Sequence, residues 1–193
     1  MAKIKIFSLI IILFSLQCTV DLRQIPAPST IITTLKTKSD LPFILGKFEI
    51  MSADRGLYQD AWRIALKKNL QSNRIFSNIL SDNDKPPVGD YYLLDVELRP
   101  YFEDHYNWWV TWPVIYPFTI LWPFQYRFGK YEVELKYKLY KKDNLIKENS
   151  IKKEKTTNVL LYGFFKTREF ERMIEEINLE MLESCTESIN SAL

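Results

Sequence analysis

His105 is the only histidine in the 193-residue sequence and the only side chain whose ordinary pKa lies near neutrality. It follows Glu103 and Asp104, so three residue types that can ligate a metal stand side by side. Adjacent residues of an extended chain point in opposite directions and do not converge on one ion. The triplet is therefore expected to be a solvated loop, with no metal bound. The other reactive patterns are missing. Five glycines occur, none at the spacing of a phosphate-cradling loop, and no serine sits in a G-x-S-x-G elbow. Glu175 and Glu176 are adjacent carboxylates on the expected solvent face of a helix, where charge is ordinary. Cys185 follows Ile174, Ile177 and Met181 at helical spacing, the setting of a buried cysteine acting as a small hydrophobe. A reactive thiol needs an electropositive, accessible site, and Glu183 and Glu187 oppose one. The expectation is a protein that is not an enzyme, with no catalytic residues, no cofactor and no metal.

The second cysteine has a different context. Lys3 and Lys5 precede an apolar stretch, Ile6–Leu16, of secretory-signal length and too short for a comfortable transmembrane span. No A-x-A cleavage site follows; the chain instead reads Ser15-Leu16-Gln17-Cys18. This run resembles the lipobox of bacterial lipoproteins, at which a signal peptidase cuts before a cysteine carrying diacylglycerol. Ser15 and Gln17 stand where the usual box has leucine and a small residue. Such relaxed boxes resemble those of spirochaetal lipoproteins, Leptospira among them. The resemblance implies that residues 1–17 are a signal peptide, that Cys18 is the lipidation site, and that the mature protein is held in the cell envelope. Thr19 in place of aspartate after the cysteine implies the outer membrane. Lipid on Cys18 would also leave Cys185 with no disulfide partner. Of 26 basic residues, Lys3 and Lys5 leave with the signal, so 24 face 24 acidic ones and the formal charge of +2 vanishes. A neutral chain lacks the uncompensated cations that nucleic-acid binding requires, so no nucleic-acid partner is expected.

Contact chemistry is written elsewhere. Tyr106–Tyr126 (YNWWVTWPVIYPFTILWPFQY) has no charged residue and holds four of the five tryptophans. Pro113, Pro117 and Pro123 argue against a spanning helix, and the run lacks the alternation of a membrane-crossing hairpin. Trp and Tyr favour the boundary between bilayer and water. Val159–Phe165 (VLLYGFF) is a second uncharged run. Trp108, Trp109, Trp112, Tyr116, Phe118, Trp122 and Phe124, with Leu160, Leu161, Tyr162, Phe164 and Phe165, are thus the candidate membrane- or partner-contacting residues. Ordinary core packing of the two runs against each other is the alternative.

The elements that must position them follow from periodicity. Residues 18–41, with Pro26 and Pro28, read as a lipidated N-terminus and flexible tether, and 42–193 as a single domain. Phe43–Met51 is a predicted strand. Asp54 is placed to cap a helix over Leu57–Gln71, with Trp62, Ala65, Leu66 and Leu70 inward, Arg63, Lys67 and Lys68 outward, and Asn73 as the stop. A short apolar piece, Ile75–Leu80, and a turn over Asn83–Gly89 come next. Tyr91–Phe102 alternates as a strand, with Pro100 marking an edge or bend. Tyr131–Tyr140 alternates more cleanly, Lys142–Asn144 turns, and Leu145–Thr157 returns as a lysine-rich strand. That lysine content suits a protected edge better than a headgroup-binding patch, because acidic residues interleave it. An amphipathic helix, with Thr167 placed to cap it, buries Phe170, Met173, Ile174, Ile177, Met181, Cys185 and Ile189.

The expected fold is α+β: a small mixed or antiparallel sheet of about four strands packed against two helices, with the aromatic segment 106–126 inserted between the second and third long strands. The element order resembles small envelope domains such as the N-terminal domain of TolB and the secretion lipoprotein CsgG. Strands ending near Phe102, starting near Tyr131 and returning near Thr157 would bring both uncharged runs to one end. The functional expectation is a lipid-anchored, non-enzymatic envelope protein that docks a membrane surface or an envelope partner through this patch. An oligomeric pore or secretion channel is the alternative implied by the second resemblance, and an enzyme with an unrecognised cleft comes last.

Overall fold

The computed structural model describes residues 20–22, 24–25, 39–51, 55–76, 78–80, 87–106, 124–161 and 168–193. They form β1 (Phe43–Ile50), α1 (Arg55–Ser72), β2 (Ile79–Leu80), β3 (Tyr92–Tyr106), β4 (Phe124–Lys141), β5 (Asn144–Leu161) and α2 (Arg168–Asn190). The sheet order is β2-β1-β3-β4-β5. β1 is parallel to both neighbours, whereas β3, β4 and β5 form an antiparallel meander. This is an α+β fold with an open mixed sheet. It has one strand beyond the expected four: β2, two residues long and too short to show a period.

One face of the sheet lies under both helices. Tyr131, Val133, Leu135, Tyr137 and Leu139 of β4 are all buried, as are Leu94, Val96 and Leu98 of β3. They meet Trp62, Leu66 and Leu70 of α1 and Phe170, Ile174, Ile177, Met181 and Cys185 of α2 in one core. The alternation of β4 exists because one face is covered and the other is not.

Local chemistry explains the irregular positions. α1 ends where Asn73 folds its amide back onto the Asn69 carbonyl at 2.9 Å, with Arg74 at φ 52°. A register shift in β1 at Gly46–Lys47 is held from both sides. Arg63 donates to the Leu45 and Gly46 carbonyls at 3.0 and 3.2 Å, while Asp95 accepts from the Lys47 N–H at 2.8 Å. Arg63 was expected to face solvent; it is half-buried instead, because the bulge leaves carbonyls that need a donor. A Cβ at Gly46 would fall 2.4 Å from Asp95 Oδ1, so a larger residue there would have to displace the carboxylate that accepts from the Lys47 N–H.

Pro100 sits in a central strand, where a missing N–H is normally costly. The last β1–β3 pair is Ile50–Leu98, and Leu98 directs its carbonyl toward β1, accepting from Met51 N–H at 2.8 Å. Two residues on, Pro100 faces the same way, into space that β1 has already left. From there β3 has no neighbouring strand on that side among the described residues, the edge that the proline implied.

Candidate functional site

β3, β4 and β5 run on past the end of β1 and make a three-stranded extension. In it Phe102 pairs with Tyr131, Asp104 with Gly129 and Tyr106 with Arg127, while Phe124 of β4 pairs with Leu161 of β5. The three strand ends from which both uncharged runs depart therefore lie together. This is longer pairing than expected: β3 continues to Tyr106, β4 begins at Phe124, and β5 includes Val159–Leu161. The ends of the expected insertion and the start of the second run are thus strand, because cross-strand partners outweigh the loop-like local sequence.

Phe124, Leu160 and Leu161 sit at these strand ends. Trp108, Trp109, Trp112, Tyr116, Phe118, Trp122, Tyr162, Phe164 and Phe165 lie outside the described residues, as do the 1–17 signal, Cys18, and the helix caps expected of Asp54 and Thr167.

The extension is packed by α2. Phe170 lies against Gly129, where a Cβ would come within 2.4 Å of its ring, and meets Phe102 edge-on at a centroid distance of 5.5 Å. Glu103, Asp104 and His105 are on strand β3 and not in the expected loop. His105 Nε2 and Glu103 Oε1 are 2.7 Å apart on one face, whereas Asp104 turns to Arg127 on the other. The alternation that separates them is the same that argues against a shared ion. His105 also lies over Phe128, with centroids 6.3 Å apart. Among the described residues no cluster of His, Cys, Asp or Glu is arranged to hold a metal, and no helix is long and apolar enough to cross a membrane.

The uncovered sheet face is a lattice of ion pairs. Glu132 meets Lys152 at 2.8 Å, Lys130 meets Glu154 at 3.2 Å, Lys138 meets Glu148 at 3.2 Å, and Lys136 meets Glu134 at 3.3 Å. A hydrogen bond from Lys152 holds the Glu132 carboxyl below its ordinary pKa, and one from the Ser150 hydroxyl does so for Glu134. Hydrogen bonds to Glu154, Glu148 and Glu132 raise Lys130, Lys138 and Lys152 respectively. These cations are matched within the protein, which fits a soluble edge. Cys185 is fully buried, and burial pushes its thiol up to about 12, the inert small hydrophobe expected.

Sequence reasoning missed one feature. Part of the segment expected to be a flexible tether is docked: Val20, Leu22 and Ile25 pack against the core. Asn178, buried in the apolar stripe of α2, accepts from the Tyr131 hydroxyl at 2.8 Å and donates to the Gln24 carbonyl at 2.7 Å. The Asp21 N–H points to Glu171 Oε1 at 3.4 Å. The available signal was Asn178 itself, a polar residue between Ile177 and Met181 that had to meet a partner.

The fold defines a class, a two-layer α+β domain with an open sheet. A protein-family model matches residues 9–190, and the chain belongs to that family. No curated protein matches the sequence. Among solved structures, a minor lipoprotein from Acinetobacter baumannii is 14% identical with a TM-score of 0.47, covering 78% of this chain and 92% of that one. A neuraminyllactose-binding hemagglutinin homolog from Helicobacter pylori is 12% identical with a TM-score of 0.47, over 79% and 84%. The rare lipoprotein B from Shewanella oneidensis is 15% identical with a TM-score of 0.41, over 78% and 94%.

Proposed function

We propose that the chain is a bacterial lipoprotein of the cell envelope, anchored through lipid on Cys18, whose domain contacts a membrane surface through its aromatic end without catalysing a reaction. The observation that carries this reading is the convergence of three strand ends, at Tyr106, Phe124 and Leu161, from which the two uncharged runs of the sequence depart. An apolar patch built by both would exceed what a monomeric surface ordinarily exposes. The Ser15–Cys18 resemblance supplies the anchor, and Thr19 favours the outer membrane as its site.

Flotation of the mature chain with liposomes tests the contact. Without its lipid, the protein is expected to float with the vesicles, and a variant with Trp108, Trp109, Trp112 and Trp122 all changed to Ser is expected to stay in the dense fraction. If both proteins stay unbound, the contact is not with lipid and an envelope protein takes its place. Intact mass of membrane-extracted protein tests the anchor, with acyl chains expected on a chain that begins at Cys18.

A further inference from the structure

The docked residues 20–25 bear on the direction in which the domain stands. Asp21 meets Glu171 and Gln24 meets Asn178. Glu171 is in the first turn of α2 and Asn178 lies seven residues, about 10 Å, further along it. Leu22 stands in a turn, and of the two contact points the N-terminal one, Asp21, lies nearer the start of the helix. The start of α2 is at the extension, where Phe170 fills the space above Gly129 and meets Phe102. The other end of α2 is at the opposite end of the sheet, where Tyr137 Oη and Ser188 Oγ are 2.6 Å apart and Lys147 donates to the Ser188 carbonyl at 2.8 Å.

We propose that residues 20–25 are a strap that delivers the anchored N-terminus to the aromatic end of the domain, so that this end stands against the lipid bilayer holding the chain's own acyl groups. The inference rests on the lipid anchor at Cys18. Cys18 precedes Val20 by two residues and lies no more than about 7 Å from it along the chain. The lipid is then close to the same end as Tyr106, Phe124 and Leu161. The turn between β4 and β5 stands away from the membrane by the length of β4, whose 18 residues extend roughly 55 Å. A long tether would leave either end free to face the bilayer; the strap removes that freedom. It is held on α2 because Asn178 and Glu171 bond to its backbone while Val20, Leu22 and Ile25 supply apolar contact.

Two double variants of the membrane-extracted protein test the strap. Asp21→Cys with Glu171→Cys is expected to form a disulfide under mild oxidation. Asp21→Cys with Glu187→Cys, about 24 Å further along the helix, is expected not to form one. Equal crosslinking of both pairs, or of neither, overturns the strap. Crosslinks to Cys18 itself would show a free thiol there, and would defeat the lipid anchor separately from the strap. For the orientation, bimane is placed on His105→Cys, near the strand ends, or on Asp143→Cys in proteoliposomes containing brominated lipid. Quenching is expected to be several-fold stronger at position 105. Equal quenching, or stronger quenching at position 143, overturns the orientation. A flexible Gly-Ser insertion of 12 residues between Thr19 and Val20, which reaches about 20 Å, is expected to reduce the difference. No change on insertion would show that the strap does not set the stance.

Discussion

At one end of the sheet β4 and β5 close in two residues, Lys142 and Asp143, between the paired Lys141 and Asn144. Lys142 takes φ 53° there, and its N–H is bound to the Tyr91 carbonyl at 2.8 Å. Lys141 reaches toward Asp90 at 3.6 Å. At the other end three strands pass the limit of β1 and lead into long uncharged segments, over a core layer made by Phe102, Gly129 and Phe170. Both ends rest on the same sheet and the same helix. The difference is in what finishes them: one closes in a tight polar turn, whereas the other leads into the uncharged segments that we propose meet a membrane.

The largest expected effect compares the core layers of the two ends. Phe170→Ala and Phe43→Ala each empty a fully buried position and should cost about 3–5 kcal/mol in denaturant unfolding. Only Phe170→Ala should also weaken vesicle binding, since it loosens the layer beneath the extension. Equal loss of binding in both would erase the distinction between the ends.

Next comes alkaline pH. The buried Cys185 thiol keeps its proton in the folded state up to about 12, against an ordinary value of 9.0. The unfolded state binds fewer protons in that window, so this contribution to stability is full below 9 and falls as pH rises, by roughly 1.4 kcal/mol per unit. Cys185→Ala should remove that part of the slope in pH-dependent unfolding, and an unchanged slope would show that the thiol is not the source.

Smaller again, Gly129→Ala should cost about 1–3 kcal/mol, because its methyl meets the Phe170 ring and not open space. Thermal melts of Gly129→Ala beside Gly89→Ala separate packing from backbone effects, since a Cβ at Gly89 meets nothing within 4 Å while its φ is 131°. The smallest effect is on the outer face. Glu132→Gln should cost less than about 1 kcal/mol, and less still at high salt. Glu132 and Glu134 have lowered carboxyl pKa values, so their contribution is present above the ordinary 4.5 and is lost as pH falls through the lowered values. Acid unfolding of wild type and variant should therefore converge below that point.

The long strands and both helices were readable because each has one dry face. Tyr131, Val133, Leu135, Tyr137 and Leu139 alternate for that reason, and Phe170 to Ile189 repeat at helical spacing. The bulge at Gly46 and the inward turn of Arg63 were not readable, since both depend on Asp95 and on carbonyls brought in by another strand. The strap was least readable. Val20, Leu22 and Ile25 flank polar residues and lead to prolines, a linker by composition, and it is Glu171 and Asn178, more than a hundred residues away, that bond to its backbone. The aromatic segment announced itself by composition, while the position of its end strands came from cross-strand register.

Hydroxyl-radical footprinting of the membrane-extracted protein, in detergent and in proteoliposomes, compares the two ends in one measurement. His105 and Phe128, with the tryptophans of 108–122, should be oxidised several-fold less in the bilayer, whereas Leu145 and Ile146 beside the far turn should be oxidised equally in both. Protection of Leu145 and Ile146 with His105 and Phe128 unchanged would contradict the assignment of the aromatic end as the contacting end.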